Sequence, residues 1–254
     1  MKIGIIGAGN LGKAIIDGLI SKNMLFSVSD RFEKSYRGIS ILDNNKEVAE
    51  KSDIIILTVK PSDLDSLLSE IKEATGKKTV ISFAAGVKLS YYEKRTDAKL
   101  VRAMTNLAVR ECSGFIMYKC SRCNASDKEK IQEIFSMLGV ATETKEEALL
   151  DASTAMSGSG IAYLVKIFQC FIDNAAKSGF LGDAAKDMVL QTVIGATALL
   201  KKDRAQDIIS KVASKGGTTE KGLLVMKNSN IEGLLEKVIE MTLLKCRNIG
   251  DQYE

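Results

Sequence analysis

Short apolar runs rich in β-branched residues alternate with longer helix-periodic stretches along residues 1–147. This alternation is typical of a parallel sheet whose strands are joined by crossover helices. The run 53–59 is apolar nearly throughout, which predicts a central strand that is buried on both faces. The pattern predicts strands at 2–6, 25–29, 39–42, 53–59, 78–82, 99–104, 113–119 and 139–143. It predicts helices at 10–22, 45–51, 62–75 and 126–138, with Ser62 and Ser126 as caps of the last two.

After residue 147 the strand pattern stops and only helical periodicity remains, which predicts helices at 148–178, 183–202, 204–214, 218–227 and 231–249. The predicted fold class is therefore α/β: a parallel-sheet domain at 1–147 followed by an all-α domain at 148–254. Residues 161–176 are apolar almost all round the helix, which predicts that they pack against a second subunit. The alternative is the ordinary central helix of a monomer.

The amino-acid composition excludes several kinds of catalytic and binding site. The chain has 254 residues with 36 Lys+Arg against 32 Asp+Glu, a net charge of +4 that does not favour nucleic-acid binding. It has no histidine, so a Ser/His/Asp triad and a histidine-based zinc site are excluded, and we predict no bound metal. The apolar stretch 161–176 contains charged residues and is shorter than a membrane span, which predicts no membrane association.

Five cysteines are too few for a secreted disulfide scaffold, and we expect a soluble, cytoplasmic protein. Cys120 and Cys123 form a single CxxC segment. Its two interpretations are ordinary cysteines, which we favour, and a redox pair.

The segment Gly7-Ala8-Gly9-Asn10-Leu11-Gly12 is a GxGxxG motif between the first predicted strand and the first predicted helix. In this context the glycines allow a tight turn, close approach of a pyrophosphate to the backbone, and close helix–strand packing. The motif predicts a dinucleotide site of the Rossmann type. Asp30 ends the second strand, where an acidic residue binds the ribose 2′-OH of NAD; Arg31 and Lys34 leave NADPH open, because cations neutralise a 2′-phosphate.

Further motifs resemble those of the pyrroline-5-carboxylate reductases, along the whole chain. They are GAGNLG at 7–12, Val59-Lys60-Pro61, Ala84-Ala85-Gly86, the RAMTN segment at 102–106, DASTAMSGSG at 151–160, and GGTT at 216–219. The resemblance implies an oxidoreductase of proline biosynthesis that reduces 1-pyrroline-5-carboxylate to L-proline with NADPH or NADH. It also implies a homodimer through the helical domain and leaves open a larger ring of dimers.

The resemblance also implies the site residues. Thr219 is the catalytic group, its hydroxyl hydrogen-bonding the ring nitrogen, and substrate binds Ser214, Gly217, Thr218 and Thr219. The cofactor residues, with Arg31 added on its charge, are Ile6, Gly7, Ala8, Gly9, Asn10, Leu11, Asp30, Arg31, Asn45, Thr58, Val59, Lys60, Pro61, Phe83, Ala84 and Ala85.

The chain departs from the family pattern where prolines are usual, at Thr105, Ile161, Leu181 and Lys215. Lys215 adjoins the implied carboxylate pocket, where it strengthens binding of an anionic substrate, indicates a different substrate, or is simply solvated. Two other side chains keep two interpretations each: Lys60 is an acid or points to solvent, and Arg102 pairs with phosphate or with a carboxylate. Tyr163 is interpreted as a core residue. The competing functions are reduction of another cyclic imine or a small hydroxy acid, and an inactive dinucleotide-binding protein.

Overall fold

A computed structural model describes residues 1–22 and 24–253 of the chain. These residues form two compact units, one comprising the described residues of 1–160 together with 241–253 and the other comprising 161–240. The division by role, with a dinucleotide-binding domain at 1–147 and a helical domain at 148–254, stays a prediction.

The first unit is built on a nine-stranded sheet, within the residues described, with the order β3-β4-β2-β1-β5-β6-β7-β8-β9. β5 is the fifth strand, and all four of its residues are buried, which confirms the predicted central strand. The strands are β1 (Ile3–Ile6), β2 (Phe26–Ser29), β3 (Ser35–Tyr36), β4 (Ile39–Leu42), β5 (Ile54–Leu57), β6 (Thr79–Ser82), β7 (Lys99–Met104), β8 (Gly114–Ser121) and β9 (Gly139–Glu143).

The sheet is parallel from β4 to β7 and again between β8 and β9. Two pairs differ from the predicted parallel pattern, since β3 with β4 and β7 with β8 are antiparallel. Only residues 105–113 separate β7 from β8. A parallel crossover needs about a dozen or more residues, so this connection reverses the strand instead.

Both faces of the sheet are covered, because successive side chains of a strand point to opposite sides. Ile54 and Ile56 enter a core shared with α1 (Asn10–Ile20) and α5 (Ala125–Leu138), whereas Ile55 and Leu57 enter a core on the other face. That second core is closed by α2 (Asn45–Glu50), α3 (Leu64–Thr75) and α4 (Leu89–Glu93). The continuous apolar run of β5 is thus explained by burial on two sides.

The structure corrects two of the predicted helix caps. Ser126 lies inside α5, and Asn124 is the cap: its side chain accepts from the Asp127 N–H at 2.9 Å, while the Asp127 carboxylate accepts from the Asn124 N–H at 3.0 Å. Ser62 lies within the short 3₁₀ turn Pro61–Asp63 that precedes α3. The predicted positions failed because more than one polar residue stands before each helix, and backbone conformation decides which of them is the cap.

We expect Asn124→Ala to lower the free energy of unfolding by about 1 kcal/mol, the usual value of a lost cap. Denaturant unfolding of the whole chain measures it. The matched control is Ser126→Ala, which changes an exposed position inside the same helix. Equal effects of the two substitutions would contradict the assignment of Asn124 as the cap.

Residues 241–253 return to the first unit. The end of α11 (Ile231–Gly250) lies against the loop after β6 so closely that a Cβ on Gly86 would come within 2.7 Å of the Cys246 carbonyl oxygen. Beyond it, the Tyr253 ring meets the Tyr91 ring edge-on at a centroid distance of 5.7 Å. Tyr91 and its neighbour Tyr92 are buried, so this contact anchors the end of the chain to α4.

The predicted helix 148–178 consists of three segments, α6 (Ala148–Ser153), a π-helical turn at Thr154–Gly158, and α7 (Gly160–Lys177). The remaining helices are α8 (Ala184–Leu200), α9 (Ala205–Val212) and α10 (Thr218–Asn228). Ala148–Lys177 is long and apolar enough, by length and composition alone, to cross a membrane, since it contains an 18-residue window with a mean hydropathy of 1.3. One such helix is weak evidence for a membrane span. It is nevertheless longer than the stretch 161–176, on which the prediction of no membrane association rested.

Candidate active site

A cleft of about 390 Å³ opens at the carboxyl ends of β1, β2 and β5. The chain moves from β1 to β2 on one side, while β5 pairs with β1 on the other, so the cleft marks a switch point of the sheet, where open α/β folds bind ligands. It is lined by Ile6, Gly7, Gly9, Asp30, Arg31, Phe32, Asn45, Thr58, Val59, Lys60, Ser62, Asp63 and Leu67.

The glycine loop is held tightly against β5. Gly7 has φ +104°, which a side chain would strain, and its N–H donates to the Ser29 carbonyl at 2.8 Å. The Thr58 hydroxyl donates to the Gly7 carbonyl at 2.6 Å. A Cβ on Gly12 would come within 2.0 Å of that same carbonyl oxygen, so α1 packs on the turn only because position 12 has no side chain.

The space around Gly9 is open, in contrast to that around Gly12. It precedes α1 in an extended conformation, with no side chain to cap the helix, and a Cβ at this position would meet nothing within 4 Å. The N–H groups of the first helical turn therefore lack an intrahelical partner, and the first turn contains no acidic residue. An uncapped helix N-terminus of this kind binds phosphate, so the loop fits a dinucleotide pyrophosphate.

The Asp30 carboxylate ties the loop to the end of β2. It accepts hydrogen bonds from the N–H groups of Ala8 at 2.7 Å, Phe32 at 2.8 Å and Glu33 at 3.1 Å. Burial acts to raise the pKa of Asp30, but these three N–H groups outweigh it and hold the pKa below its usual value. A carboxylate has about four acceptor positions, so one remains for the predicted ribose hydroxyl.

We expect Asp30→Asn to destabilise the fold at neutral pH by about 1–3 kcal/mol, because an amide offers one acceptor oxygen instead of two. The folded-state pKa is lowered, so the stabilisation is complete above the unfolded value near pH 4 and disappears as the pH falls through the folded value. Denaturant unfolding at neutral and acidic pH should show the difference between variant and wild type shrinking below about pH 4. Asp43→Asn, which removes an exposed carboxylate 3.9 Å from Lys34, is the control.

The adenosine side of the cleft contains residues that the sequence predicted and residues that it missed. The Asn45 amide accepts from the Ser29 hydroxyl at 2.9 Å and donates to Glu70 at 2.8 Å. Arg31 lies at the rim, with its guanidinium 4.0 Å from the Asp63 carboxylate. Phe32 was missed and is 89% exposed beside the cleft. Ser62, Asp63 and Leu67 were also missed, because lining residues from a 3₁₀ turn and a helix follow no pattern in the sequence.

Several predicted cofactor residues do not line this cleft. Phe83 and Ala84 are buried after β6, and the Phe83 ring packs edge-on against Phe135 at 6.1 Å. The others are Ala8, Asn10, Leu11, Pro61 and Ala85. The contacts of Ala8, Asn10 and Leu11 with the cofactor stay predictions. So do those of Pro61, Phe83, Ala84 and Ala85, which the resemblance places toward the nicotinamide half; the segments after β5 and β6 lie along one edge of the sheet because these strands are parallel.

Arg102 pairs with carboxylates, as one of its two predicted readings requires. Its side chain is buried, 2.9 Å from Glu147 and in contact with Asp151. Glu147 also accepts from the Leu89 N–H at 2.7 Å. The charges of two carboxylates compensate the charge of the buried guanidinium, so Arg102 is not free to bind another anion. Its ion pairs link β7 to α6.

The predicted substrate residues lie together in the second unit, at the start of α10. Gly217 precedes the helix in an extended conformation and its N–H donates to the Ser214 carbonyl at 2.9 Å. Thr218 and Thr219 occupy the first helical turn, where N–H groups have no intrahelical acceptor. Gly216 has φ +74° and its N–H donates to the Glu220 carboxylate at 2.7 Å. This loop therefore offers backbone donors and hydroxyl groups to an anion.

Fold and cleft define the class: a dinucleotide-binding α/β protein with a helical C-terminal part. Residues 2–86 match the family model of NADP oxidoreductases dependent on coenzyme F420, and residues 147–249 match the pyrroline-5-carboxylate reductase dimerisation model. A pyrroline-5-carboxylate reductase of Methanosarcina acetivorans is 33% identical over 98% of both chains, and that of Aquifex aeolicus is 31% identical over 98% of this chain and 97% of its own. The chain belongs to the pyrroline-5-carboxylate reductase family.

Solved structures agree with this assignment. A pyrroline carboxylate reductase of Plasmodium falciparum with NADP bound has a TM-score of 0.93 and 27% identity, with 98% of both chains covered. The enzyme of Coxiella burnetii has a TM-score of 0.84 and 27% identity, with 97% of both chains covered. The predicted family, fold class and oxidoreductase activity are confirmed, and the dimerisation match supports self-association of the chain.

Proposed function

We propose that the chain reduces 1-pyrroline-5-carboxylate to L-proline with NADPH or NADH, the last step of proline biosynthesis. The observation that carries the proposal is the open glycine cradle at Gly9, in a chain that matches pyrroline-5-carboxylate reductases over almost its full length. The bound dinucleotide supplies a hydride. The chain must bind and orient both reactants and stabilise charge on the imine nitrogen, and none of these tasks needs histidine.

In this proposal the cofactor pyrophosphate binds at the N-terminus of α1, between Gly7 and Gly9. Asp30 binds the ribose through its remaining acceptor position, and the exposed Phe32 ring covers the adenine. Arg31 has its guanidinium at the cleft rim with one weak partner at 4.0 Å, so it is available to a 2′-phosphate. Both coenzymes are compatible with this set of groups, with Asp30 favouring NADH and Arg31 favouring NADPH.

The substrate carboxylate lies against Gly217 and binds the N–H groups of Thr218 and Thr219, and Ser214 contributes from the preceding turn. The Thr219 hydroxyl donates to or accepts from the ring nitrogen, which holds the imine in position and stabilises the amine as it forms. These groups are supported as ligands by their place at the uncapped start of α10. We further propose a cytoplasmic location for the enzyme.

We also propose that the helical part forms a homodimer and that dimers can assemble into a larger ring. The apolar side chains of α7 that point to solvent in the single chain support a buried interface: Leu164 is 52% exposed, Val165 58% and Phe171 65%. Several large apolar side chains exposed on one helix are a common mark of an interface with another protein chain. Exposed apolar residues continue on α8 and α11, at Met188, Leu190, Ile194, Leu199, Leu234, Leu235 and Leu244.

Phe171→Asp is expected to shift the protein from dimer or larger species to monomer, because it places a charge in the apolar surface of α7. Light scattering coupled to size-exclusion chromatography measures the mass. Leu25→Asp is the matched control, since Leu25 is 76% exposed but lies in the first unit, before β2. An unchanged mass for Phe171→Asp would exclude α7 from the interface.

The activity itself is tested by mixing the purified chain with pyrroline-5-carboxylate and NADPH or NADH and following the absorbance of the reduced nicotinamide. Oxidation of the coenzyme with formation of proline supports the proposal. Oxidation only with other cyclic imines or hydroxy acids would replace the substrate. Tight coenzyme binding without turnover on any of them would identify an inactive dinucleotide-binding protein.

A further inference from the structure

Charged side chains of both signs line the dinucleotide cleft. Among the residues that the structure describes they are Asp30, Asp63, Arg31 and Lys60. Asp30 and Arg31 follow β2, whereas Asp63 belongs to the 3₁₀ turn after β5, and these two strands flank β1 on opposite sides. The Arg31 guanidinium and the Asp63 carboxylate nevertheless approach each other to 4.0 Å. An ion pair therefore connects the two sides of the cleft.

Other charged groups near this pair have partners of their own. Three backbone N–H groups donate to the Asp30 carboxylate. The Glu33 carboxylate lies 2.5 Å from the Lys13 ammonium on α1. Within the described residues of the loop after β2, Arg31 is thus the cation that lines the cleft, and Asp63 is the carboxylate beside it.

Asp63 stands at the N-cap position of α3 without capping the helix. Within the described residues, its side chain makes no capping hydrogen bond. The Asp63 side chain is 43% exposed and that of Arg31 61%, and an ion pair between exposed side chains contributes little to stability. We therefore expect the fold to tolerate removal of the Asp63 charge, so that its effect on ligand binding can be measured.

The position of the pair matters because NADPH and NADH differ only in the 2′-phosphate on the adenosine ribose. In dinucleotide folds the acidic residue after the second strand binds this ribose, and a nearby arginine accommodates the 2′-phosphate. A 2′-phosphate beside Arg31 must replace Asp63 as the partner of the guanidinium, and it also lies near a charge of its own sign. NADH has no charge at this position, so the ion pair can persist when NADH binds.

We propose that Asp63 is a specificity-determining residue that disfavours NADPH relative to NADH. The inference rests on the proposed function, because it takes the cleft as the coenzyme site with the adenosine ribose at Asp30. The Asp63 carboxylate competes with the 2′-phosphate for Arg31 and repels it. The coenzyme preference of this chain therefore depends on the turn after β5 as well as on the loop after β2.

The test is a fluorescence titration of wild type and Asp63→Asn with NADPH and with NADH in a buffer of low ionic strength. Asparagine keeps the size of the side chain and removes its charge. We expect the variant to bind NADPH about two- to fivefold more tightly, the size of one interaction between exposed charges, and its NADH affinity to change less. The gain for NADPH should shrink as salt is added, because salt screens exposed charges.

Asp43→Asn is the matched control, since it removes an exposed carboxylate that lies 3.9 Å from Lys34 and does not line the cleft. It should leave the ratio of the NADPH and NADH dissociation constants unchanged. In an Arg31→Gln background, Asp63→Asn should give a smaller gain for NADPH, because no guanidinium is left to compete for. An equal gain with and without Arg31 contradicts this competition.

The ratio of the two dissociation constants decides the proposal. An unchanged ratio in Asp63→Asn, or a shift toward NADH, overturns it. Asp63→Ala removes the same charge with a different side chain and should shift the ratio in the same direction, and thermal melts show whether both variants are folded. Failure of the proposed function is distinguishable, because in that case the wild-type protein itself binds neither coenzyme or does not reduce pyrroline-5-carboxylate.

Discussion

Replacing Gly9 with alanine is expected to weaken NADPH binding about tenfold or more, which corresponds to at least about 1.4 kcal/mol, while leaving the stability of the fold unchanged. The added methyl group meets nothing within 4 Å in the chain, so folding is not obstructed. It does occupy the space beside the N-terminus of α1 in which the pyrophosphate must approach the backbone. Fluorescence titration with NADPH and a thermal melt measure the two quantities.

Gly12→Ala is the contrasting control within the same loop. Its Cβ would lie 2.0 Å from the Gly7 carbonyl oxygen and 2.9 Å from the Thr58 hydroxyl, so either the helix or the turn must move. We expect a loss of about 1–3 kcal/mol or more in stability together with the loss of NADPH binding. If Gly9→Ala instead bound NADPH as tightly as wild type, the loop would not be the pyrophosphate site.

Thr219→Ala is expected to lower kcat with pyrroline-5-carboxylate about 5- to 150-fold, which corresponds to about 1–3 kcal/mol for one positioned polar group. The backbone N–H of residue 219 remains, so carboxylate binding and α10 itself should persist. NADPH affinity should stay unchanged, because the cofactor binds the first unit in this proposal. Steady-state kinetics with both reactants varied, and a separate NADPH titration, provide the measurement.

Thr219→Ser is the matched variant, since it keeps the hydroxyl and removes only a methyl group. It should retain most of the wild-type turnover. Equal turnover of Thr219→Ala and wild type would remove the hydroxyl from the mechanism, and equal loss in both variants would point to packing of the methyl group instead.

Most strands of the first unit could be predicted, because a strand that is buried on both faces has a continuous apolar sequence, as in Ile54–Leu57. β3 could not, because two residues paired with Ser40 and Ile39 carry no periodicity of their own. The direction of β8 is also invisible in its composition. It follows instead from the short link to β7, which is a statement about connection length.

The dinucleotide loop was the most predictable part of the site. The positions of Gly7 and Gly12 have no room for a side chain, so the sequence must have glycine there. The hydrogen bonds of Asp30 to Ala8, Phe32 and Glu33 are a different case. The position of Asp30 at the end of a strand predicted a ligand for the ribose. Only the folded structure shows that its carboxylate also accepts hydrogen bonds from the backbone of the loop. Phe32, in an exposed loop, left no pattern to read.

The return of residues 241–253 to the first unit makes the helical segment 161–240 an insertion within that unit. During synthesis on the ribosome, the sheet unit therefore cannot acquire its Gly86 and Tyr91 contacts until residues 246–253 have emerged. A truncation before residue 246 would impair the amino-terminal half of the enzyme, although every residue of that half is present.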